Sequence, residues 1–276
     1  MERDANTGGA LLTRAIIGVL LAAGFATAAA RVRSLTRGGA IAATVVGTVA
    51  VAAGWGWAAL LLVYFISSSL LSRFGAAQKA SSTAGTIEKE GARDAWQVLA
   101  NGGVFTICMV VSIVAPFPFC DTASFAAVCA LSASAADTWA TEIGTLVGHA
   151  PRSILTLRTM NVGESGGVTI SGWLGAAAGA ATVGAAAAIF VPGSSDFFMV
   201  LIAGMIGTTV DSLAGATIQH RRWCDTCGRM TEMHVHTCGT MTRHLRGAPW
   251  IENDAVNLIA TLSGAALAVV TMWLLS

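Results

Sequence analysis

Eight apolar runs, each about as long as a membrane is thick, constrain this chain more than any other feature. They cover residues 11–30, 39–56, 57–72, 103–119, 123–146, 167–192, 197–218 and 255–275. A helix needs about 20 apolar residues to cross the hydrocarbon. Lipid offers no partner to an unpaired backbone group, so runs of this length must cross as helices. The expected fold is therefore an all-α, polytopic helical bundle of about eight spans. Composition agrees: 54% of residues are hydrophobic and only 11% charged, against about 25% charged in a soluble domain. No basic tract interleaved with aromatics points to nucleic acid. Runs two and three abut at Trp55-Gly56-Trp57, which reads as a tight interfacial turn or as one long kinked span. The first run could instead be a signal peptide, but Arg14 interrupts it and a basic loop follows.

Charge gives the orientation. With eight spans, the loops between runs 1–2, 3–4, 5–6 and 7–8 share one side. Those loops hold 14 of the 16 basic residues, all but Arg3 and Arg14. The positive-inside rule places them in the cytoplasm and both termini on the other side.

Three acids lie inside or at the edge of these runs: Asp137, Glu142 and Asp211. A carboxylate there costs several kcal/mol and is normally kept for a cation, a proton or a partner. Pairing with a buried base, or capping a helix, is the plainer explanation for any one of them. Three acids flanked by Thr, Ser or Gly favour a divalent metal site, with Mg²⁺ expected from the oxygen donors. Asp137 and Glu142 are five residues apart, about 140° around a regular helix. They can share an ion only if the helix breaks or other helices complete the shell.

A spacing of 64 residues separates three glycine pairs, Gly38-Gly39, Gly102-Gly103 and Gly166-Gly167. Each pair precedes an apolar run, a short turn and a second run. This predicts three helical hairpins in parallel repeat. Helix starts that open on glycine favour close approach of anions such as phosphate. Gly163-Glu164-Ser165-Gly166-Gly167 resembles a phosphate loop, although no Walker lysine stands beside it. Residues 86–101 read as an amphipathic helix leading into Gly102-Gly103, which raises Arg93 and Asn101 as phosphate or nucleotide contacts. Lys79 is a further candidate. Gln219 falls two turns after Asp211 on roughly the same face. At the last span, Asn253 suits an N-cap, while Asp254 and Asn257 remain candidates for binding.

The six cysteines form two groups. Cys108, Cys120 and Cys129 sit in apolar runs and read as small core residues. The polar loop 220–250, between the last two spans, holds Cys224-x-x-Cys227 and Cys238 beside His234 and His236. This spacing suits tetrahedral Cys₃His zinc, with His236 or His234 as the fourth ligand and His220 or His244 less well placed.

The segments Arg93–Gly103, Asp137–Gly144, Gly166–Thr169, Asp211–Gln219 and Asn253–Asn257, in this order, resemble the integral membrane family that contains plant phytyl-phosphate kinase. The resemblance spans about residues 37–270. It implies transfer of a phosphoryl group from a nucleoside triphosphate, CTP or ATP, to an isoprenyl monophosphate, with a divalent metal. The cysteine loop departs from the plant pattern. The competing expectation is a transporter for a cation or an anionic metabolite, since intramembrane acids, broken glycine-rich helices and repeats also mark transporters.

Overall fold

A computed structural model describes residues 7–86, 91–193 and 196–275. The helices are α1 (Thr7–Arg31), α2 (Arg37–Ala53), α3 (Trp55–Arg73), the short α4 (Ala76–Thr83), α5 (Ala95–Val114), α6 (Phe119–Val147), α7 (Ile170–Phe190), α8 (Phe197–Thr217) and α9 (Asn253–Leu275). Seven of them are long and apolar enough to cross a membrane, and α2 is a shorter apolar helix. All eight expected runs are thus helices. Runs two and three are separate, because Gly54 at φ 149° breaks the chain one residue before Trp55.

Helix α6 is the axis of the bundle. Every residue from Phe125 to Ala136 is buried, and α5, α7, α8 and α9 all pack on it. The sequence explains this position. The stretch is rich in Ala and Ser, and small side chains let neighbouring backbones approach closely, the main source of association where lipid removes the hydrophobic drive. Gly179 of α7 shows how close: a Cβ there would lie 2.7 Å from the Ala135 carbonyl oxygen. The outward faces carry exposed Leu20, Ile41, Leu174 and Phe198, as lipid contact requires.

The helix pairs α2–α3, α5–α6 and α7–α8 are the three hairpins expected from the repeat. Their starts differ from expectation. Gly38-Gly39 does lie in the first turn of α2, behind the N-cap Thr36. Helix α5, however, begins at Ala95, where Asp94 and Gln97 form a capping box. Gly102-Gly103 therefore sits two turns inside that helix. Gly166-Gly167 precedes α7, whose cap is Thr169. Capping chemistry, not the glycine pairs, sets where each hairpin starts. The amphipathic helix expected over 86–101 is corrected in the same way. Residues 91–94 are not helical, and 87–90 lie outside the described residues.

Short β structure is confined to the loops at one end of the bundle. Strands β1 (Arg152–Ser153) and β2 (Gly167–Val168) pair antiparallel between α6 and α7. Between α8 and α9, β3 (Arg221–Cys224), β4 (Arg229–Thr231) and β5 (Arg243–Arg246) form an antiparallel sheet in the order β4-β3-β5.

Candidate functional site

At 1.5 Å per residue, Asp137 is about 27 Å along α6 from Phe119, and Asp211 about 21 Å along α8 from Phe197. Both aspartates thus approach the bundle end that carries the β loops. There they meet. The Asp137 carboxyl is within hydrogen-bonding reach of Asp211 and of Thr208, one turn earlier on α8. Oδ1 of Asp211 is buried and has no hydrogen-bond partner among the described residues. Two carboxylates in contact repel unless a proton or cation lies between them. Their oxygens, with the Thr208 hydroxyl, make a hard donor set of the kind Mg²⁺ takes.

Glu142 does not join this pair. Helix α6 runs unbroken to Val147, so Glu142 projects from a different face. Its Oε2 is bonded by the Lys79 ammonium, and its Oε1 accepts from Ser72 Oγ at 2.5 Å. Lys79 also donates to the carbonyls of Leu71 (2.9 Å) and Ser72 (2.8 Å). Glu142 is thus paired with a base, and although it lines the same cavity as Asp137 and Asp211, it is not in the contact those two make, where the sequence led us to expect it as a further Mg²⁺ ligand. Pairing with Glu142 also engages the Lys79 charge that was expected to meet phosphate. The pair ties α4 to α6 at a largely buried position. Lys79→Met is expected to lower stability by about 3 kcal/mol, because it strands the carboxylate. Adding Glu142→Gln should restore part of that loss, with a coupling of about 1–3 kcal/mol. Thermal unfolding of the two single variants and the double variant measures it, and additive shifts would contradict the pairing.

One cavity of about 720 Å³ gathers most of the expected residues. It is lined by Lys79, Arg93, Asn101, Asp137, Glu142, Ser165, Gly166, Gly167, Asp211, Gln219, Asn253, Asp254 and Asn257. Its basic and acidic residues come from different parts of the chain: Arg33, Arg73, Lys79 and Arg93 precede α5, whereas Asp137, Glu142, Glu164, Asp211, Glu232, Glu252 and Asp254 come from later elements. The Arg93 guanidinium lies 6.0 Å from the Phe65 ring centroid. Asn101 Oδ1 accepts from Ser134 Oγ at 2.7 Å, and Ser134 in turn bonds the Tyr64 hydroxyl. Asn253 is the first residue of α9 and lines the cavity. Gly102 and Gly103 do not line it. Gly102 packs on Val46, and nothing lies within 4 Å of a Cβ at Gly103.

The glycine turn 163–167 forms part of the floor. Gly166 has φ +84°, and a Cβ on it would lie 2.6–2.8 Å from three atoms of Ala216. The turn therefore rests directly on α8, one turn beyond Asp211. Glu232, which periodicity could not single out, fastens this floor. Its Oε1 accepts from Ser165 Oγ (2.7 Å), Gln219 Nε2 (2.9 Å) and Arg221 Nη1 (3.0 Å). Thr208 was also missed, although its i−3 spacing from Asp211 places both on one helix face.

In the loop between α8 and α9, Cys224, Cys227, His236 and Cys238 bring four ligand atoms within 4.8 Å of one another. His236 completes the group. His234 instead lies 3.2 Å from Arg222 and 3.8 Å from Glu252, and His220 stacks on His244 at 5.1 Å. Burial lowers the His220 imidazole below its ordinary value, and the nearby Arg222 charge adds to this. The Thr240 hydroxyl, 3.4 Å from Sγ, holds the Cys238 thiol below its ordinary value, at about 6.

Fold and cavity together define a polytopic integral membrane protein with a cavity lined by charged and polar residues at one end of its bundle. The chain belongs to a named family of such proteins: the model of "Integral membrane protein DUF92" matches residues 20–265. It is 31% identical over 274 residues to Protein PGR of Arabidopsis thaliana, covering 90% of this chain and 93% of the relative. An uncharacterized membrane protein of Synechocystis is 29% identical, covering 79% and 74%. Another, from Methanocaldococcus jannaschii, is 27% identical, covering 86% and 94%. No solved structure matches.

Proposed function

We propose that this protein is a membrane-embedded phosphotransferase that moves the terminal phosphoryl group of a nucleoside triphosphate, CTP or ATP, onto an isoprenyl monophosphate to give the diphosphate. The observation that carries this reading is a single cavity whose lining combines Asp137 and Asp211, within hydrogen-bonding reach of each other, with the guanidinium groups of Arg33, Arg73 and Arg93. Phosphoryl transfer is catalysed chiefly by positioning and charge neutralisation. A chamber with oxygen donors for a divalent ion and guanidinium groups for phosphate oxygens supplies both.

In this reading Asp137 and Asp211 hold Mg²⁺, with Thr208 beside them, and the ion neutralises charge on the polyphosphate. Arg93 and its basic neighbours in the cavity bind phosphate oxygens. The glycine turn lets its backbone approach the nucleotide, and Asn253 and Asn257 orient it from α9. The Lys79–Glu142 pair lines the same cavity. No strong general base is needed, because the accepting phosphate monoester is already anionic. A prenyl tail has the lipid-facing helix surfaces for a solvent. The sequence between apolar runs 1–2, 3–4, 5–6 and 7–8 carries 14 of the 16 basic residues, and by the positive-inside rule this supports a cytoplasmic chamber with the termini opposite.

The transporter reading needs an exit at the other end of the bundle. There α6 is buried without interruption from Phe125 to Ala136. The deciding experiment is incubation of the purified protein in detergent with a labelled nucleoside triphosphate, Mg²⁺ and a prenyl monophosphate. Label in a prenyl diphosphate is the expected outcome. Its absence, with substrate flux across proteoliposomes, would establish transport instead.

A further inference from the structure

We propose that Cys224, Cys227, His236 and Cys238 bind a structural zinc ion that holds the floor of the cavity in place. The site stands outside the phosphotransferase reading and does not depend on it. Two knuckles build it. In Cys224-Asp225-Thr226-Cys227-Gly228, the Gly228 amide donates to the Cys224 carbonyl at 2.9 Å, and Gly228 has φ +60°. In His236-Thr237-Cys238-Gly239, the Gly239 amide donates to the His236 carbonyl at 2.8 Å, and Gly239 has φ +83°. Each turn presents two ligands to the other. Cys224 and Cys238 sulfurs are 3.5 Å apart, and His236 Nδ1 is 3.2 Å from Cys238 Sγ. Tetrahedral zinc with Zn–S bonds near 2.3 Å sets sulfurs about 3.8 Å apart, so a small adjustment admits the ion. All three cysteines are free thiols. On binding, each thiol releases its proton to solvent and the imidazole coordinates as the neutral base.

The ion's task follows from what lies between the knuckles. Glu232, which fastens Ser165 of the glycine turn, Gln219 after α8 and Arg221 of β3, follows directly on β4. The same stretch grips the segment after α4. The Glu232 amide donates to Thr86 O at 2.9 Å, Arg229 donates to Thr86 Oγ1 at 3.1 Å, and His236 packs on Gly85. Strands of three and four residues are shorter than the usual length of about five to six and hold such an arrangement weakly alone. A metal crosslink holds it firmly, in the manner of small zinc folds.

The test uses the full chain without a polyhistidine tag, purified in detergent. Metal analysis is expected to give about one zinc per chain, falling at least tenfold in Cys227→Ser and Cys238→Ser and unchanged in Cys120→Ser. If the serine variants fail to fold, chelator-stripped wild type titrated with Co²⁺ should still develop the visible bands of tetrahedral thiolate coordination. Hydrogen exchange of the stripped protein is expected to rise at least tenfold over residues 221–246 and over the turn 163–167. Wild type that carries no zinc and binds neither metal, or a Cys224–Cys238 disulfide in freshly isolated protein, would overturn the site. Bound zinc whose removal leaves 163–167 unchanged would overturn its role in the cavity.

Discussion

Asp137→Asn and Asp211→Asn are each expected to lower formation of prenyl diphosphate by at least about 10²–10³-fold, while both variants still insert and remain folded. The reason is the contact between the two carboxyls. Either amide keeps the shape of the site but removes a charged oxygen donor from a hard cation. The folded state should not suffer, since each substitution relieves repulsion between two acids in a poorly solvated place. The paired expectation, activity lost and thermal stability kept or raised, separates metal binding from a structural role. Turnover by membranes containing each variant, with detergent melting curves alongside, measures both. Wild-type turnover in either variant would remove the aspartates from the reaction.

Gly166→Ala is expected to be the most damaging small substitution in the cavity floor. Its φ of +84° disfavours any L side chain, and its Cβ would meet the Ala216 amide, Cα and Cβ at 2.6–2.8 Å. Backbone strain and overpacking each cost about 1–3 kcal/mol, so a total of about 2–4 kcal/mol is expected. The turn would lift off α8 and carry Ser165 away from Glu232, so nucleotide affinity should fall with stability. Gly103→Ala is the control. Nothing lies within 4 Å of its Cβ, and Ala in the interior of a helix is favoured over Gly by about 0.5–1 kcal/mol. It should be neutral or slightly stabilising and leave activity intact. Melting temperatures and nucleotide binding of both variants test the contrast. Equal losses at the two positions would mean that the glycine pairs are equivalent after all.

The two glycines also show which parts of the molecule are legible in a linear sequence. Helix number was legible, since lipid forces every long apolar run into the same structure and only Gly54 had to be located to divide runs two and three. The convergence of Asp137 and Asp211 was legible in part, because several acids flanked by small polar residues in such runs point to a shared site even though any one of them has a plainer explanation. Equal spacing misled at Gly102-Gly103, where a capping box eight residues upstream decided the helix start. Glu142 shared the composition signal of the aspartates, yet its partner Lys79 lies 63 residues earlier on a short helix that no apolar run announces. Glu232 was invisible for a related reason. Its role comes from three partners on separate elements, a relation that arises only when the loops fold together. The Cys₃His group was readable because metal ligands recur at short, fixed spacings, although choosing His236 over His234 required the turn at Gly239.

Manganese offers the most direct test of the claim that two aspartates from different helices share one cation. Mn²⁺ binds the same oxygen donors as Mg²⁺ and is read by electron paramagnetic resonance in the detergent-solubilised protein. The wild type should bind Mn²⁺, more tightly with nucleoside triphosphate present, and the Asp137→Asn/Asp211→Asn double variant should lose this binding at least about tenfold. Equal Mn²⁺ affinity in the two proteins would contradict a metal site at Asp137 and Asp211.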